Sequence, residues 1–412
     1  MKAEFYTNNR RKLAEYLPDG ALMLIFSGYA SRKRADEDYP FFSDRNFVYL
    51  TGISRDAGLV YAMKKVGGDV SEKLFLLPAD FMKERWTGRR TKADEAHELS
   101  GINDIAYTPD FEEYFKKAVS ECENICLDID DTREERDYTE AHRFARRMKE
   151  EYPAKKIVNI RPALAEIRTI KADCEIDAMR EAVRITGEGI KAMMHGVRDG
   201  MKEYEIKGLY DSALLANGCL EPAFPSIISA GQNNFCIHYY SYSGTAHTGD
   251  MVLCDVGACY DFIGCDISRG FPLSGKFSDR QRKLYEAAYA TSQHLFDIIK
   301  PGYLMEEVDR EAQRFCYTYL HDYGLVDKPE HIGKLMWHGG SHHVGFDTHD
   351  IVKRPEIIAP GMVFCVDIGI YCEEWGIGFR LEDNCHVTEN GCENLGIHVP
   401  RTIEEIENEM RR

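Results

Sequence analysis

The chain has 412 residues, 44% of them hydrophobic, which is enough for two domains with cores of their own, and its formal net charge of −17 excludes the basic surface that nucleic-acid phosphates require. No apolar run reaches about 18 residues, so no membrane span is predicted, and the first residues have the pattern of an amphipathic helix rather than a secretion signal. The 13 cysteines include no CxxC pair, which predicts reduced thiols in a soluble, cytoplasmic protein.

The first 160 residues alternate short apolar stretches with helical patterns, which is the order expected of an α/β domain. The predicted elements are strands at 21–28, 58–63, 73–78 and 124–129 and a helix at 109–121. We therefore predict a smaller amino-terminal α/β domain over residues 1–160.

A second domain is predicted over residues 161–412. Its first long helix is expected to begin near Asp173, a residue type suited to the N-cap position. From Ile176 to Met194, apolar residues then recur at helical spacing, which predicts one face buried against the rest of the domain.

The second domain contains a pattern that occurs twice. In each half, a long helix precedes a shorter one, and the later long helix begins at a capping box, Ser278 with Gln281. Each helix pair precedes apolar strands that carry a carboxylate, MVLCDVGACY at 251–260 and MVFCVDIGIY at 362–371. Because the same order of elements surrounds both strands, we predict an internal two-fold repeat.

Each repeated strand is predicted to form one arm of a β-hairpin with an acid on both arms. A turn at residues 260–261 would place Asp255 directly opposite Asp266. The corresponding turn in the second hairpin would place Asp367 opposite Glu382. Residues paired in this way have Cβ atoms about 4.5–5.5 Å apart, where like charges repel, although a bulge would change the register.

Two kinds of cation could neutralise these acids. Arg269 and Arg380 lie nearby in the sequence and could each pair with one acid, which is the interpretation that a single acid pair would favour. Two acid pairs in duplicated hairpins instead favour a cluster of divalent metal ions, because buried charges need partners.

The remaining candidate ligands are histidines and cysteines. The glycine-rich segment WHGGSHHVGFDTHD, residues 337–350, precedes the second hairpin and contains His338, His342, His343 and His349. Mostly oxygen ligands with one imidazole favour Mn²⁺, with Co²⁺ or Zn²⁺ as alternatives. Strand alternation should turn Cys254 and Cys265 away from the aspartates that follow them and into the core.

The order of these motifs resembles the proline-specific metallopeptidases of family M24, with aminopeptidase P the best match and prolidase next. The matching segments are HGGSHHVGFDTHD, PGMVFCVDIGIY and GIGFRLED, with FSDRNFVYLTG and ERWTGRR in the first domain. The resemblance covers nearly the whole chain. It implies a mixed α/β fold, in which a smaller amino-terminal domain is followed by a pseudo-two-fold "pita-bread" catalytic domain.

The resemblance also implies the ligands of two metal ions. Asp255 would bind one ion, and Asp266 and Glu382 would bridge both. His342 and Asp367 would bind the other ion.

Further residues match groups that act on substrate in this family. His238, His338 and His349 match histidines that hold substrate and move protons, and Arg380 matches an arginine that hydrogen-bonds within the metal site. Trp86 matches a tryptophan that reaches the active site of a neighbouring subunit in oligomeric relatives, so a homodimer or homotetramer is expected. An ordinary buried tryptophan is the alternative interpretation of Trp86.

Asp367 departs from the family pattern, which has glutamate followed by proline and glycine. An aspartate carboxylate ends up to about 1.5 Å closer to its own backbone. Either the strand or the metal must shift, or the ion on the histidine side binds weakly. We therefore expect one tight and one weak metal site unless the backbone compensates.

These matches imply a metallo-aminopeptidase that hydrolyses the bond between an amino-terminal residue and proline. Asp367 would be the candidate base, and His338 or His349 would stabilise the oxyanion. Three alternatives stay open: a prolidase limited to dipeptides, a metal-free hydrolase of the creatinase type, and a non-catalytic binding protein that keeps the fold. The expected partners are peptides with proline at the second position, without nucleic acid or membrane.

Overall fold

The computed structural model describes residues 1–353 and 357–411, and the chain divides into two units, Met1–Arg168 and Thr169–Arg412. The helix Arg161–Thr169 begins at the domain boundary predicted from the sequence, between residues 160 and 161. All but the last residue of this helix belong to the first unit.

The first unit alternates strands and helices along the chain. Its strands are β1 (Ala21–Phe26), β2 (Arg32–Arg34), β3 (Glu37–Asp38), β4 (Val60–Val66), β5 (Asp69–Leu76), β6 (Ile105–Tyr107), β7 (Asn124–Leu127) and β8 (Lys156–Asn159). Its helices are α1 (Ala3–Tyr16), α2 (Arg45–Thr51), α3 (Phe81–Thr87), α4 (Ala93–Ser100), α5 (Phe111–Glu121), α6 (Glu140–Glu151) and α7 (Arg161–Thr169). The strands and the helix predicted for this part of the chain are confirmed.

The main sheet of the first unit has the strand order β6-β5-β4-β1-β7-β8. Strand β1 pairs antiparallel with β4 and parallel with β7, so the sheet is mixed. Aromatic residues fill the core on one face: Phe111 of α5 packs edge-on against Phe75 of β5, and Phe115 packs edge-on against Phe144 of α6. These contacts confirm the predicted α/β class.

The second unit contains two helix pairs and a central sheet. Its strands are β9 (Ile227–Ala230), β10 (Met251–Val256), β11 (Cys259–Tyr260), β12 (Ile263–Gly264), β13 (Ile267–Pro272), β14 (Val363–Cys372), β15 (Ile377–Val387) and β16 (Cys392–Asn394). Its helices are α8 (Asp173–Gly196), α9 (Glu203–Ala216), α10 (Asp279–Ile298), α11 (Met305–Asp322) and α12 (Ile403–Glu409).

The strand order β14-β15-β13-β10-β9 reveals the internal repeat. The hairpins β10–β13 and β14–β15 lie side by side, with β13 paired to β15 in the middle of the sheet. Helix α8 packs against α9 in the first half, and α10 packs against α11 in the second. The predicted two-fold repeat is therefore confirmed.

The second hairpin has the predicted register, because Asp367 pairs with Glu382 across β14 and β15. The first hairpin does not, because Asp255 pairs with Ser268 rather than with Asp266. The prediction that Asp255 and Asp266 are directly opposite is therefore wrong.

The position of one turn explains this error. The turn residues of the first hairpin are Asp261 and Phe262, with φ angles of 47° and 73°. This turn lies one residue later than predicted, which moves each partner by two positions. Because side chains alternate with a period of two, Asp266 stays on the same face as Asp255, but diagonal to it.

The starts of two helices in the second unit were predicted from the sequence. The predicted capping box is present, with Ser278 Oγ accepting from the backbone N–H of Gln281 and Gln281 Oε1 accepting from that of Ser278. Asp173 is the first residue of α8 rather than its N-cap. Among the residues that the structure describes, no helix is both long enough and apolar enough to cross a membrane.

Candidate metal centre

Four acidic side chains meet on one face of the second unit's sheet. Asp255 lies on β10, Asp266 directly precedes β13, Asp367 lies on β14 and Glu382 lies on β15. Their side chains are almost inaccessible to water, from 2% exposed for Glu382 to 13% for Asp255. The side-by-side hairpins thus place four carboxylates together in the interior.

Burial and mutual repulsion affect how these acids bind protons. Burial, followed by the charge of Glu382, raises the pKa of Asp266 and of Asp367 well above the usual value. Burial also acts to raise the pKa of Glu382, but the neighbouring His342 ring and the hydrogen bond from Ser268 outweigh it and lower that pKa. The Ser268 hydroxyl donates to Glu382 Oε2 at 2.8 Å.

Three oxygens of this cluster are buried without a hydrogen-bond donor among the described residues. They are the Oδ1 atoms of Asp255, Asp266 and Asp367. Buried carboxylate oxygens in folded proteins are normally hydrogen-bonded or bound to metal ions. Arg380 Nη2 donates to Asp255 Oδ2 at 2.7 Å, but one arginine cannot neutralise four acids. The donor set therefore fits divalent cations.

One group of donor atoms is compact enough to surround a single ion. Asp266, His342, Cys365 and Glu382 each contribute one atom, and these atoms lie within 4.8 Å of one another. His342 Nε2 lies 3.6 Å from Asp266 Oδ2 and 3.7 Å from Glu382 Oε1. Sequence reasoning named three of these residues, whereas Cys365 was included only among the cysteines predicted to be reduced thiols.

The histidine-rich segment, residues 337–350, reaches the acids because its backbone pairs with β14. The backbone N–H of Cys365 donates to the carbonyl of His342 at 2.8 Å. His343 forms an isolated antiparallel bridge with Phe364. This pairing fixes where the His342 ring meets the acids.

Asp309 of α11 holds the turn that precedes His342. Its Oδ1 accepts from the backbone N–H groups of Gly340 and Ser341, each at 3.2 Å. Gly340 lies against Asp367, so that a Cβ atom at Gly340 would come within 2.4 Å of the Asp367 Cβ. Glycine is therefore required for this close approach of loop and strand.

A hydrogen-bond network links the acids to His338. The hydroxyl of Tyr371 accepts from Arg380 Nη1 at 2.9 Å and lies 2.9 Å from His338 Nε2. When this hydroxyl donates in turn to His338 Nε2, a neutral ring carries its proton on Nδ1, which lies 3.4 Å from Asp367 Oδ2. Burial, and then the charge of Arg380, lower the pKa of His338, which favours the neutral ring. Sequence reasoning missed Tyr371.

The other candidate histidines lie on the open side of the cluster. The ring of His349 stands edge-on to that of His342 at 4.4 Å, and both line a cavity of about 950 Å³. Burial, then the nearby His342, lower the pKa of His349, with a smaller contribution from His238. His238 itself is exposed. The structure thus brings the predicted site residues of the second unit into one region.

The two candidate arginines have different partners. Arg380 forms an ion pair with Asp255, as expected if an arginine neutralises one of the acids. Arg269 instead pairs with Asp383 at 2.7 Å, and both side chains are fully buried. The arginine interpretation thus accounts for Asp255 and leaves the other acids to a different cation.

Two predictions concern residues outside the cluster. Cys254 and Cys265 are fully buried, and Cys265 Sγ lies 3.1 Å from Thr186 Oγ1, so their assignment to the core is confirmed. Trp86, in the first unit, is 86% exposed, which contradicts the interpretation that it is an ordinary buried tryptophan.

Comparisons with known proteins agree with this geometry. The profile of Metallopeptidase family M24 matches residues 177–389, and that of the aminopeptidase P N-terminal domain matches residues 6–126. The Xaa-Pro aminopeptidase of Haemophilus influenzae is 30% identical, over 99% of this chain and 97% of that relative. The Xaa-Pro aminopeptidase of Escherichia coli is 29% identical, over 98% of this chain and 96% of that relative.

Solved structures extend the likeness to the fold. Zinc-substituted E. coli aminopeptidase P in complex with product superimposes with a TM-score of 0.91 at 28% identity, covering 100% of this chain and 98% of that one. A Bacillus anthracis protein described as a candidate aminopeptidase P gives a TM-score of 0.97 at 34% identity, covering 100% and 99%.

Proposed function

The chain belongs to metallopeptidase family M24, and from this premise we propose that it is an Xaa-Pro aminopeptidase, which hydrolyses the peptide bond between an amino-terminal residue and proline. The observation that carries the proposal is the buried cluster of four carboxylates beside His342, three of whose oxygens lack a donor among the described residues. Buried carboxylates that one arginine cannot neutralise would destabilise the fold unless other cations bind them.

In this proposal, the cluster would hold two divalent ions. Asp255 would hold one ion, His342 and Asp367 would hold the other, and Asp266 and Glu382 would contribute to both. The oxygen-rich donor set favours Mn²⁺, with Co²⁺ or Zn²⁺ as alternatives. When bound, the ions lower the pKa of a water molecule and polarise the scissile carbonyl.

The residues around the ions orient the reactants and move the proton. Asp367 accepts the proton of the attacking water, and the neutral His338 ring presents Nδ1–H towards its carboxylate. Tyr371 fixes that tautomer, because its hydroxyl accepts from Arg380 and is left to donate to Nε2. His349, whose ring lines the cavity beside His342, stabilises the oxyanion that develops on the carbonyl.

The curated relatives favour an aminopeptidase over a prolidase. Both relatives reported above are Xaa-Pro aminopeptidases, and the match covers 97% and 96% of their chains.

The proposal is tested with purified protein and added Mn²⁺ on matched peptides. We expect cleavage of Xaa-Pro-Yaa, weaker or no cleavage of the Xaa-Pro dipeptide, and none of Xaa-Ala-Yaa. A preference for the dipeptide would identify a prolidase, and full activity in the presence of a chelator would identify a metal-free hydrolase. No cleavage of any Xaa-Pro peptide by the wild type would reject the proposal.

Location and assembly are proposed on the sequence alone. Reduced thiols support a cytoplasmic location, and the match of Trp86 to a subunit-bridging tryptophan supports a homodimer or homotetramer. Sedimentation of the purified protein, with a Trp86→Ala variant beside it, tests the second point.

A further inference from the structure

Cys365 lies on the same strand face as the proposed ligand Asp367. The two residues are separated by one position on β14, and side chains two positions apart point to the same side of a sheet. By contrast, Cys254 directly precedes an acid and lies on the opposite face. Among these strand cysteines, Cys365 is directed at the acids.

The thiol of Cys365 is part of a preformed donor group. Its Sγ lies within 4.8 Å of donor atoms of Asp266, His342 and Glu382, and the side chain is fully buried. The Asn384 amide donates to the same sulfur at 3.4 Å, which fixes its position. Asp266 Oδ1, in the same group, is buried without a donor among the described residues.

Asp367 is less well placed for this ion. It is absent from the four-donor group found among the described residues. Its Oδ2 instead lies 3.4 Å from His338 Nδ1, and Gly340 lies against its Cβ and main chain. Because Gly340 is in the way, the backbone of Asp367 cannot move towards the histidine-rich segment to bring its short side chain closer to the ion.

We propose that Cys365 is a thiolate ligand of the ion on the histidine side, together with Asp266, His342 and Glu382, and that it supplements the short carboxylate of Asp367. This inference rests on the proposed two-metal function. Binding replaces the S–H bond by a sulfur–metal bond and releases the proton to solvent. One sulfur and one imidazole donor shift the preference of this ion from Mn²⁺ towards Zn²⁺ and Co²⁺.

The test uses the full chain loaded with two equivalents of Co²⁺, so that the ion on the histidine side, which is expected to bind more weakly, is also in place. We expect an intense near-ultraviolet sulfur-to-cobalt charge-transfer band, which is lost in Cys365→Ser and in Cys365→Thr. The matched control is Cys254→Ser, which removes a buried thiol from the opposite face and should keep the band. The zinc form should show one sulfur at about 2.3 Å by X-ray absorption.

The outcomes separate this inference from the proposed function. Wild-type protein that cleaves Xaa-Pro-Yaa with Mn²⁺ but shows no sulfur band with Co²⁺ overturns the thiolate ligand alone. A band that survives in both folded Cys365 variants, as judged by circular dichroism, overturns it as well. Protein that binds no metal and cleaves no peptide fails both proposals together.

Discussion

The hydroxyl of Tyr371 connects Arg380 to His338. It accepts from Arg380 Nη1 and lies within hydrogen-bond distance of His338 Nε2. Burial raises the pKa of Tyr371, so the hydroxyl keeps its proton at neutral pH and can donate it. This phenolic oxygen therefore favours the tautomer of His338 in which Nδ1, the nitrogen that faces Asp367, carries the proton.

Tyr371→Phe should lower kcat/KM by about 10- to 100-fold, because a hydrogen bond to a charged group contributes about 1.5–3 kcal/mol and each 1.4 kcal/mol is a factor of ten. Metal content should not change, since none of the proposed ligands is altered. Steady-state kinetics with metal analysis measure both. Undiminished kcat/KM in the variant would show that the tautomer of His338 does not matter to the reaction.

Asp367 can be tested as base and as ligand with two substitutions. Asp367→Asn removes the proton acceptor and should lower kcat by about 10²- to 10⁴-fold. Asp367→Glu keeps the acceptor and lengthens it, so it should retain activity and bind the weaker ion more tightly in calorimetric titration. An active Asp367→Glu beside an inactive wild type would instead identify a non-catalytic protein with this fold.

At the scale of elements, the position of the histidine-rich segment depends on a helix that is remote in sequence. Asp309 of α11 binds two backbone N–H groups of the turn at Gly340 and Ser341. Without that carboxylate, the turn would lose both of these hydrogen bonds and would keep the backbone pairing of the following residues with β14. The segment should then sample more positions relative to the acids.

Asp309→Ala should therefore lower kcat by about tenfold, which corresponds to about 1.4 kcal/mol of lost positioning. Glu307→Ala is the matched control, since it removes a carboxylate of the same helix that pairs with Arg310 instead. Both variants should unfold at similar denaturant concentrations. Equal losses of kcat in the two variants would assign the effect to the helix rather than to the turn.

The hairpins show how far sequence could predict the site. Four acids and the histidine-rich segment were predictable, because their residue types, spacing and duplication are visible in the chain. The register of the first hairpin was not, since Asp261 and Phe262 take a left-handed conformation that a sequence without glycine at those positions does not signal. Tyr371 and Asp309 were missed because they act through contacts between distant elements.

At the scale of the molecule, the internal repeat joins folding to metal binding. The cluster takes two acids from each hairpin, so the donor set exists only when both halves of the second unit are folded. An ion that binds this set, and not the unfolded chain, stabilises the fold by about 2.7 kcal/mol at a concentration one hundred times its Kd.

Without metal, the same acids should make stability depend on pH. The pKa values of Asp266 and Asp367 are raised in the folded state. At pH values between the ordinary aspartate pKa and these raised values, the folded chain therefore keeps protons that the unfolded chain has released. Stability is therefore fully present at low pH within this window and falls as pH rises through it. The lowered pKa of Glu382 makes stability rise with pH instead, but only at pH values below the ordinary glutamate pKa.

Between pH 5.5 and pH 8 the lowered pKa values of His338 and His349 act in the opposite sense, so the contribution of the acids is isolated by comparing the urea unfolding of chelator-treated wild type with that of a variant at both pH values, and again after metal ion is added. Fluorescence of Trp337, which stacks on Tyr371 at 4.5 Å, reports unfolding next to the cluster. Asp266→Asn cannot release a proton at this position, so the metal-free variant should lose less stability between the two pH values than the wild type. An equal loss in both proteins would mean that groups other than Asp266 set the pH dependence.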